Sequence, residues 1–352
     1  MPDAIRSAAT LPGSFYHDAG LYTDSLEKVF AASWQWLGHT NDFSADMHYP
    51  LTLLEGSLNE PLLLHHDGQW QLMSNVCTHR GFILLDAPQP AGTIRCRYHG
   101  RCFEKDGTFK SMPMFEGAEN FPTAMDNLRR AATANWNGLL FGAVAPDLDL
   151  AAILQPLQDR LYWFPFHQLQ LRADLSKTYD VQAHWALYCE NYLEGLHIPF
   201  VHQGLNKVLD FGQYETHIFD HCNLQLGIAG SKEPAFDLPA DAPDYGKRVA
   251  AYYCWVFPNL MLNVYPWGIS VNVVEPQGPD RTRVRFLTYV SDPELLGQGA
   301  GSDLDTVELE DEWVVERVHR GTASRLYHSG RYAPSMEQGV YHFHRLLRSR
   351  LY

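Results

Sequence analysis

Two cysteines and two histidines form the first set of residues able to do chemistry. Cys77 and His79 lie in the stretch CTHRG (77–81), Cys96 and His99 in CRYHG (96–100), and 16 residues separate the two groups. Each short turn therefore offers one thiolate and one imidazole. Thiolate suits iron and zinc, and imidazole suits both. A structural zinc site usually draws two cysteines from one turn and two histidines from the other; here each turn is mixed. The remaining alternative is that the histidines cap turns and the cysteines fill the core.

A second set lies further along, in NYLEGLHIPFVH (191–202). Asn191, Glu194 and His197 recur every three residues and are expected on one face of a helix over 181–197. Pro199 is expected to end that helix, so His202 reaches back from the next turn. Two histidines and a carboxylate make the facial triad of non-haem ferrous sites, which leaves coordination positions open. In a chain with 17 histidines, two of them five apart carry little weight alone.

The elements around these residues differ between the two halves. Residues 24–37 have helical spacing, with Asp24 and Ser25 as caps and Leu26, Val29, Phe30 and Trp34 on one face. From about 36 to 145, short apolar runs such as PLLLHH and GLLFGAV alternate with Gly, Pro, Asn and Asp turns, which reads as an all-β domain. Three strand-like runs occupy 250–290, a surface loop follows, and helices are expected at 304–320 and 335–350. The fold class expected is α+β, with an N-terminal all-β domain before an α+β domain whose antiparallel sheet is covered by helices. The divisions are 1–35, a helical segment packing on the last domain; 36–150; and 151–352.

Composition narrows the function. Lys and Arg number 27 against 41 Asp and Glu, a net charge of -14. That balance repels a phosphate backbone and argues against nucleic-acid binding, while a cationic substrate or basic protein partner is compatible. Six cysteines in 352 residues are too sparse for a disulfide scaffold and point to a reducing compartment. Neither a signal-peptide run nor a membrane-spanning apolar stretch appears, so a cytoplasmic protein with no membrane association is expected.

The paired stretches CTHRG and CRYHG resemble the two loops of a Rieske domain. The resemblance implies a [2Fe–2S] cluster with Cys77 and Cys96 on one iron and His79 and His99 on the other. Replacing two thiolates by imidazoles raises the potential. Where the family often has proline and tryptophan, this chain has Arg97 and Arg101, departures that bear on the potential rather than on the cluster. Cys102, just beyond the second loop, is read as a packed thiol.

Downstream, N-x-x-E-x-x-H-x-x-x-x-H resembles the catalytic motif of Rieske non-haem iron oxygenase α subunits, so the likeness covers nearly the whole chain. It implies a mononuclear Fe(II) on His197, His202 and a carboxylate about a hundred residues later. Asp311 in EDEWVVERV (310–318) is the candidate and Glu310 its alternative; the bland reading is an acidic helix start stabilised by the dipole. Asp311 is expected to begin a helix with Val314, Val315 and Val318 facing the core. Glu194 takes the place of an aspartate that, in relatives, bridges a neighbouring subunit's Rieske histidine to an iron-binding histidine. The alternative for Glu194 is a cap or pairing within its own helix.

The resemblance further implies electrons from NAD(P)H through a partner reductase or ferredoxin, oxygen activation at the iron, and a homotrimer. No nicotinamide fingerprint is visible, so the reductase is a separate protein. The wording EDEWVVERV is similar to the choline-monooxygenase-like branch, which favours hydroxylation or demethylation of a small quaternary-amine-like substrate; aromatic-ring dioxygenation is the runner-up. A Rieske electron carrier without oxygenase activity is the alternative of another class. Tyr252, Tyr253, Trp255, Phe257, Tyr265 and Trp267 offer aromatic faces for a cation or serve as core.

Overall fold

The computed structural model describes residues 2–202, 204, 211–231, 233–301 and 304–352. The chain divides into two compact units, Ala31–Asp147 and a second made of Met1–Phe30 with Leu148–Tyr352.

The first unit is all β. Its larger sheet has seven strands in the spatial order Gln35–His39, Leu139–Ala143, Arg130–Trp136, Trp70–Ser74, Glu60–His66, Met47–Leu53 and Gln89–Pro90. A smaller sheet holds Ile94–Arg95, Cys102–Phe103 and Phe109–Ser111. The run LLL (62–64) shows how one strand serves two cores. Successive side chains point to opposite faces. Leu62 and Leu64 join Leu53, Leu72 and Leu140, while Leu63 joins Met73, Leu84, Ile94 and the two cysteines Cys77 and Cys96.

The second unit is α+β. An eight-stranded antiparallel sheet runs in the order Gln170–Leu171, Arg281–Val290, Gly268–Gly278, Leu260–Tyr265, Val249–Val256, Cys222–Ile228 and Glu215–Ile218, with Lys177–Val181 also paired to Arg281–Val290. The apolar run 260–276 is two strands rather than one, because Pro266 and Trp267 turn the chain. The helix Trp185–Tyr192 packs on the strand Gly268–Gly278 and on the helices Leu304–Thr322 and Gln338–Leu351. No helix among the described residues is long and apolar enough to cross a membrane.

Several local expectations are corrected. The helix placed at 24–37 is an α-helix over Ala19–Ser25 followed by a wider turn at Leu26–Phe30, and the first strand begins at Gln35. Asp18, not Asp24 or Ser25, caps it by accepting from the Gly20 and Leu21 amides; Asp24 instead pairs with Lys28. The helix expected over 181–197 covers only Trp185–Tyr192, with His184 accepting the Ala186 amide as its cap. Asn191, Glu194 and His197 therefore do not share a helix face. Pro199 does not end a helix; it occupies the first turn of a new one, Ile198–Val201, where its missing N–H costs nothing.

Candidate metal centres

In the first unit the two mixed-donor stretches fold into two copies of one loop. An isolated bridge between Val76 and Ile83 closes the first, and the pair Arg95 and Cys102 closes the second. In each, the cysteine amide donates to the carbonyl five residues on, Cys77 to Phe82 at 2.8 Å and Cys96 to Arg101 at 2.8 Å. In each, a glycine four residues after the cysteine donates back, Gly81 at 2.9 Å and Gly100 at 3.0 Å. Both glycines are left-handed, with φ of 70° and 75°, a conformation that costs glycine little.

This duplication brings the two histidine rings together and puts both cysteines in one apolar cluster. Both cysteines are buried in the apolar cluster. The His79 and His99 rings lie 4.7 Å apart, and the Nδ1 atom of each is buried without a hydrogen-bond partner. Burial, then the neighbouring Cys96 thiol, pushes the Cys77 thiol up, and burial with the facing His99 ring pushes His79 down. Two thiolates in an apolar pocket need a compensating cation. A bare buried Nδ1 on each imidazole needs a partner. A dinuclear iron centre supplies both, so the donor set fits it. Cys102 donates its thiol to the Gly100 carbonyl.

In the second unit three segments converge. His197 Nε2 and His202 Nε2 are 3.1 Å apart. Asp311 Oδ1 lies 3.0 Å from His202 Nε2 and 3.6 Å from His197 Nε2. The other ring nitrogens are held by carboxylates: His197 Nδ1 by Glu194 at 2.7 Å and His202 Nδ1 by Glu310 at 2.7 Å. With each Nδ1–H donated outward, both Nε2 atoms and Asp311 Oδ1 are acceptors facing one another. Such a cluster can hold a metal cation at its centre, and second carboxylates that fix the imidazole tautomer are what metal-ligating histidines carry. Among the described residues this is the group whose donors converge closely enough for a metal ion. Asp311 thus faces both Nε2 atoms, while Glu310 orients His202.

The backbone explains the placement. After Tyr192 the helix ends and Glu194 turns back, accepting from the Leu196 and His197 amides. The short helix Ile198–Val201 then carries the chain from His197 to His202. Asp311 does not begin a helix; it sits inside Leu304–Thr322. Of the three valines expected in the core, Val315 is buried and Val318 is 43% exposed. The inward face instead carries Glu308, Asp311, Val315 and His319.

A cavity of about 100 Å³ opens beside these converging atoms. Asn191, Glu194, Tyr188, Tyr192, Tyr214 and Glu308 line it. Sheet register supplies the rest of the wall: Gln225, Tyr253, Asn263 and Ser270 are successive cross-strand partners. Of the six aromatic residues singled out from the sequence, Tyr253 and Tyr265 reach the cavity. Trp255 packs on Phe343 at 5.3 Å, Tyr252 on Phe236 at 5.5 Å, and Trp267 stacks on Tyr265 at 5.1 Å. Glu308 was not anticipated. It is 3% exposed, and Tyr188 Oη lies 2.6 and 2.5 Å from its two oxygens. Burial, with Asp311 and Glu312 nearby, pushes its carboxyl well above the usual range despite the Tyr188 hydrogen bond.

The catalytic-domain family model described as ring hydroxylating alpha subunit matches residues 169–352, and the Rieske [2Fe-2S] domain model matches 33–122. The chain belongs to the ring-hydroxylating α-subunit family. Choline monooxygenase of Arabidopsis thaliana is 30% identical across 99% of this chain and 84% of its own. Putrescine 2-hydroxylase of Ralstonia nicotianae is 28% identical across 97% and 95%. Among solved structures, a quaternary ammonium Rieske monooxygenase described with carnitine oxidation and inter-subunit electron transfer has a TM-score of 0.80 at 23% identity, covering 99% of this chain and 98% of its own. As a Rieske oxygenase α subunit, the chain is the oxygenase component of an oxidoreductase system that uses molecular oxygen. Its cofactors are a Rieske [2Fe–2S] cluster and a mononuclear iron, supplied with electrons by a reductase or ferredoxin partner. An electron carrier alone has no use for the second domain.

Proposed function

We propose that Cys77, His79, Cys96 and His99 hold the cluster, that His197, His202 and Asp311 hold the mononuclear iron, and that the cavity beside it binds a small cationic amine for hydroxylation or demethylation. The convergence of two Nε2 atoms and Asp311 Oδ1, with both Nδ1 atoms on carboxylates, carries this reading. When bound, the iron supplies reductive activation of dioxygen. The chain's own residues do the rest. Glu194 and Glu310 orient the imidazoles and hold their Nδ1 protons. The buried tyrosine walls exclude water. Asn191 lines the cavity next to Glu194 and is placed to orient substrate or oxygen.

The substrate class rests on the wall chemistry and on the amines acted on by the relatives. Five tyrosines offer ring faces that attract cations, and the charged side chains among the described lining residues, apart from the histidines, are carboxylates. Glu308, buried in the cavity wall beside Tyr188, is placed to pair with an ammonium group that enters, as a buried cation requires.

We also place the division between the domains at about residues 30 and 148 and read the assembly as a trimer in which the cluster of one subunit serves the iron of the next. Exposed apolar side chains support an assembled protein: Phe200, Leu309 and Trp313 near the triad, and Tyr98, Phe82 and Ile83 on the cluster loops. Such side chains in groups mark contact surfaces. In that assembly Glu194 is the carboxylate that links a neighbour's cluster histidine to His197.

The test is substrate-dependent oxygen uptake by the holoprotein with a surrogate reductase. Uptake is expected with choline or putrescine and not with 3,3-dimethylbutanol, the uncharged analogue of choline. Uptake driven by naphthalene and by none of the amines contradicts the substrate class.

A further inference from the structure

Arg101 stands where a side chain this polar is rarely buried. It is 2% exposed, and burying a charge is costly unless it is paired. Its Nη2 donates to Asp126 Oδ1 at 2.6 Å and to the Asp126 carbonyl at 3.2 Å. Three rings surround the guanidinium, with centroids at 5.7 Å (Phe103), 4.9 Å (Phe109) and 5.5 Å (Phe121). Its Nε is buried without a hydrogen-bond partner.

The contacts of Asp126 tie this charge to both cluster loops. Thr78, between Cys77 and His79, donates its hydroxyl to the same Asp126 carbonyl at 2.8 Å. Arg101 closes the other loop by accepting the Cys96 amide at 2.8 Å. One residue, Asp126, thus receives a side chain from each loop. Its own carboxylate is held in place by the Thr123 amide at 2.7 Å.

We propose that Arg101 and Asp126 are positioning residues that clasp the two cluster loops together and set the reduction potential of the cluster with opposite signs. The inference rests on the cluster assignment to Cys77, His79, Cys96 and His99. Reduction adds one electron to the cluster. A fixed positive charge in a low-dielectric wall favours the reduced state, and a fixed negative charge disfavours it. Removing Asp126's charge therefore raises the potential, and removing Arg101's lowers it.

The experiment is a redox titration of the purified holoprotein followed by electron paramagnetic resonance, at low and high salt, for wild type, Asp126→Asn, Arg101→Gln and Arg101→Lys. At a fixed ambient potential, the reduced-to-oxidised ratio is expected to rise about tenfold in Asp126→Asn and fall about tenfold in Arg101→Gln, each a shift of about 59 mV for a one-electron couple. Arg101→Lys keeps the charge and stays within about threefold, while a loosened clasp broadens its resonance. The Arg101 shift persists at high salt, because a buried charge is weakly screened, while the shift from the partly exposed Asp126 shrinks without changing sign. Should Arg101→Gln fail to assemble, the sign of Asp126→Asn decides. Ratios within about twofold of wild type in variants with intact cluster, or shifts of the same sign in both, overturn the proposal. Loss of labile sulfide from the wild type would instead remove the cluster assignment beneath it.

Discussion

At the cluster loops His79 and His99 keep Nδ1 buried and bare, whereas at the second centre His197 and His202 present Nε2 and give each Nδ1 to a carboxylate. The first site is one loop used twice, closed by local backbone bonds within a few residues. The second is assembled from a turn, a short helix and a distant helix 108 residues on, where Glu310 meets His202. A centre that only passes electrons can be built locally with a rigid, closed shell. A centre that must leave coordination positions open takes its ligands from elements that also wall a cavity.

The comparison breaks most sharply with Asp311→Ala. It is expected to lower turnover by roughly 10³-fold or more, as loss of a metal's several kcal/mol of stabilisation implies, with the cluster spectrum unchanged. Cys96→Ser reverses the pattern, removing the cluster colour while the His197 centre still binds Fe(II) in equilibrium dialysis. Either variant damaging both centres would contradict their independence.

The difference in construction also explains what the sequence revealed. Local loops leave local traces: the mixed C-x-H and C-x-x-H spacing is the loop geometry itself, and the glycines of CTHRG and CRYHG mark the left-handed positions. Of the three groups that converge at the second centre, only His197 and His202 are local. The helix expected over 181–197 breaks at Tyr192 because Glu194 spends its carboxylate on backbone amides, a choice invisible to periodicity. The acidic stretch 308–312 looks like a solvated helix face, yet Glu308 and Asp311 point inward. Tertiary contacts with Tyr188 and the histidines decide that. Likewise, Tyr253 and Trp255 share a strand face, yet Tyr253 lines the cavity while Trp255 packs on Phe257, His342 and Phe343.

Next in size come the carboxylates behind the imidazoles. Glu310→Gln and Glu194→Gln are each expected to weaken iron retention or activity about 10–100-fold, read by dialysis against a chelator. Within their own subunit His79 and His99 have no such carboxylate on Nδ1, and an unaffected iron content in both variants would erase the distinction.

Glu308→Gln is expected to raise KM for a cationic amine about tenfold, the worth of one hydrogen bond to a charged group, with little change in kcat. Equal effects on choline and on its uncharged analogue would reduce Glu308 to a packing role.

A further effect concerns pH and stability rather than turnover. Burial, then His319 and His17, pushes His184 down to about 3, so it stays neutral in the fold while the unfolded chain takes up a proton below about 6.5. Stability in the second unit therefore declines as pH falls from about 6.5 toward 3, by a few kcal/mol. His184→Asn keeps a helix cap and is expected to flatten that slope in urea unfolding at pH 7 and pH 5; an unchanged slope would contradict the assignment.

The account depends above all on two separate iron centres in one chain. Iron and acid-labile sulfide, measured on anaerobically purified protein, decide it. Two irons and two sulfides from the cluster plus one mononuclear iron give a three-to-two ratio per chain, falling to two-to-two in Asp311→Ala. A ratio of two-to-two in the wild type, or iron without sulfide, would contradict it.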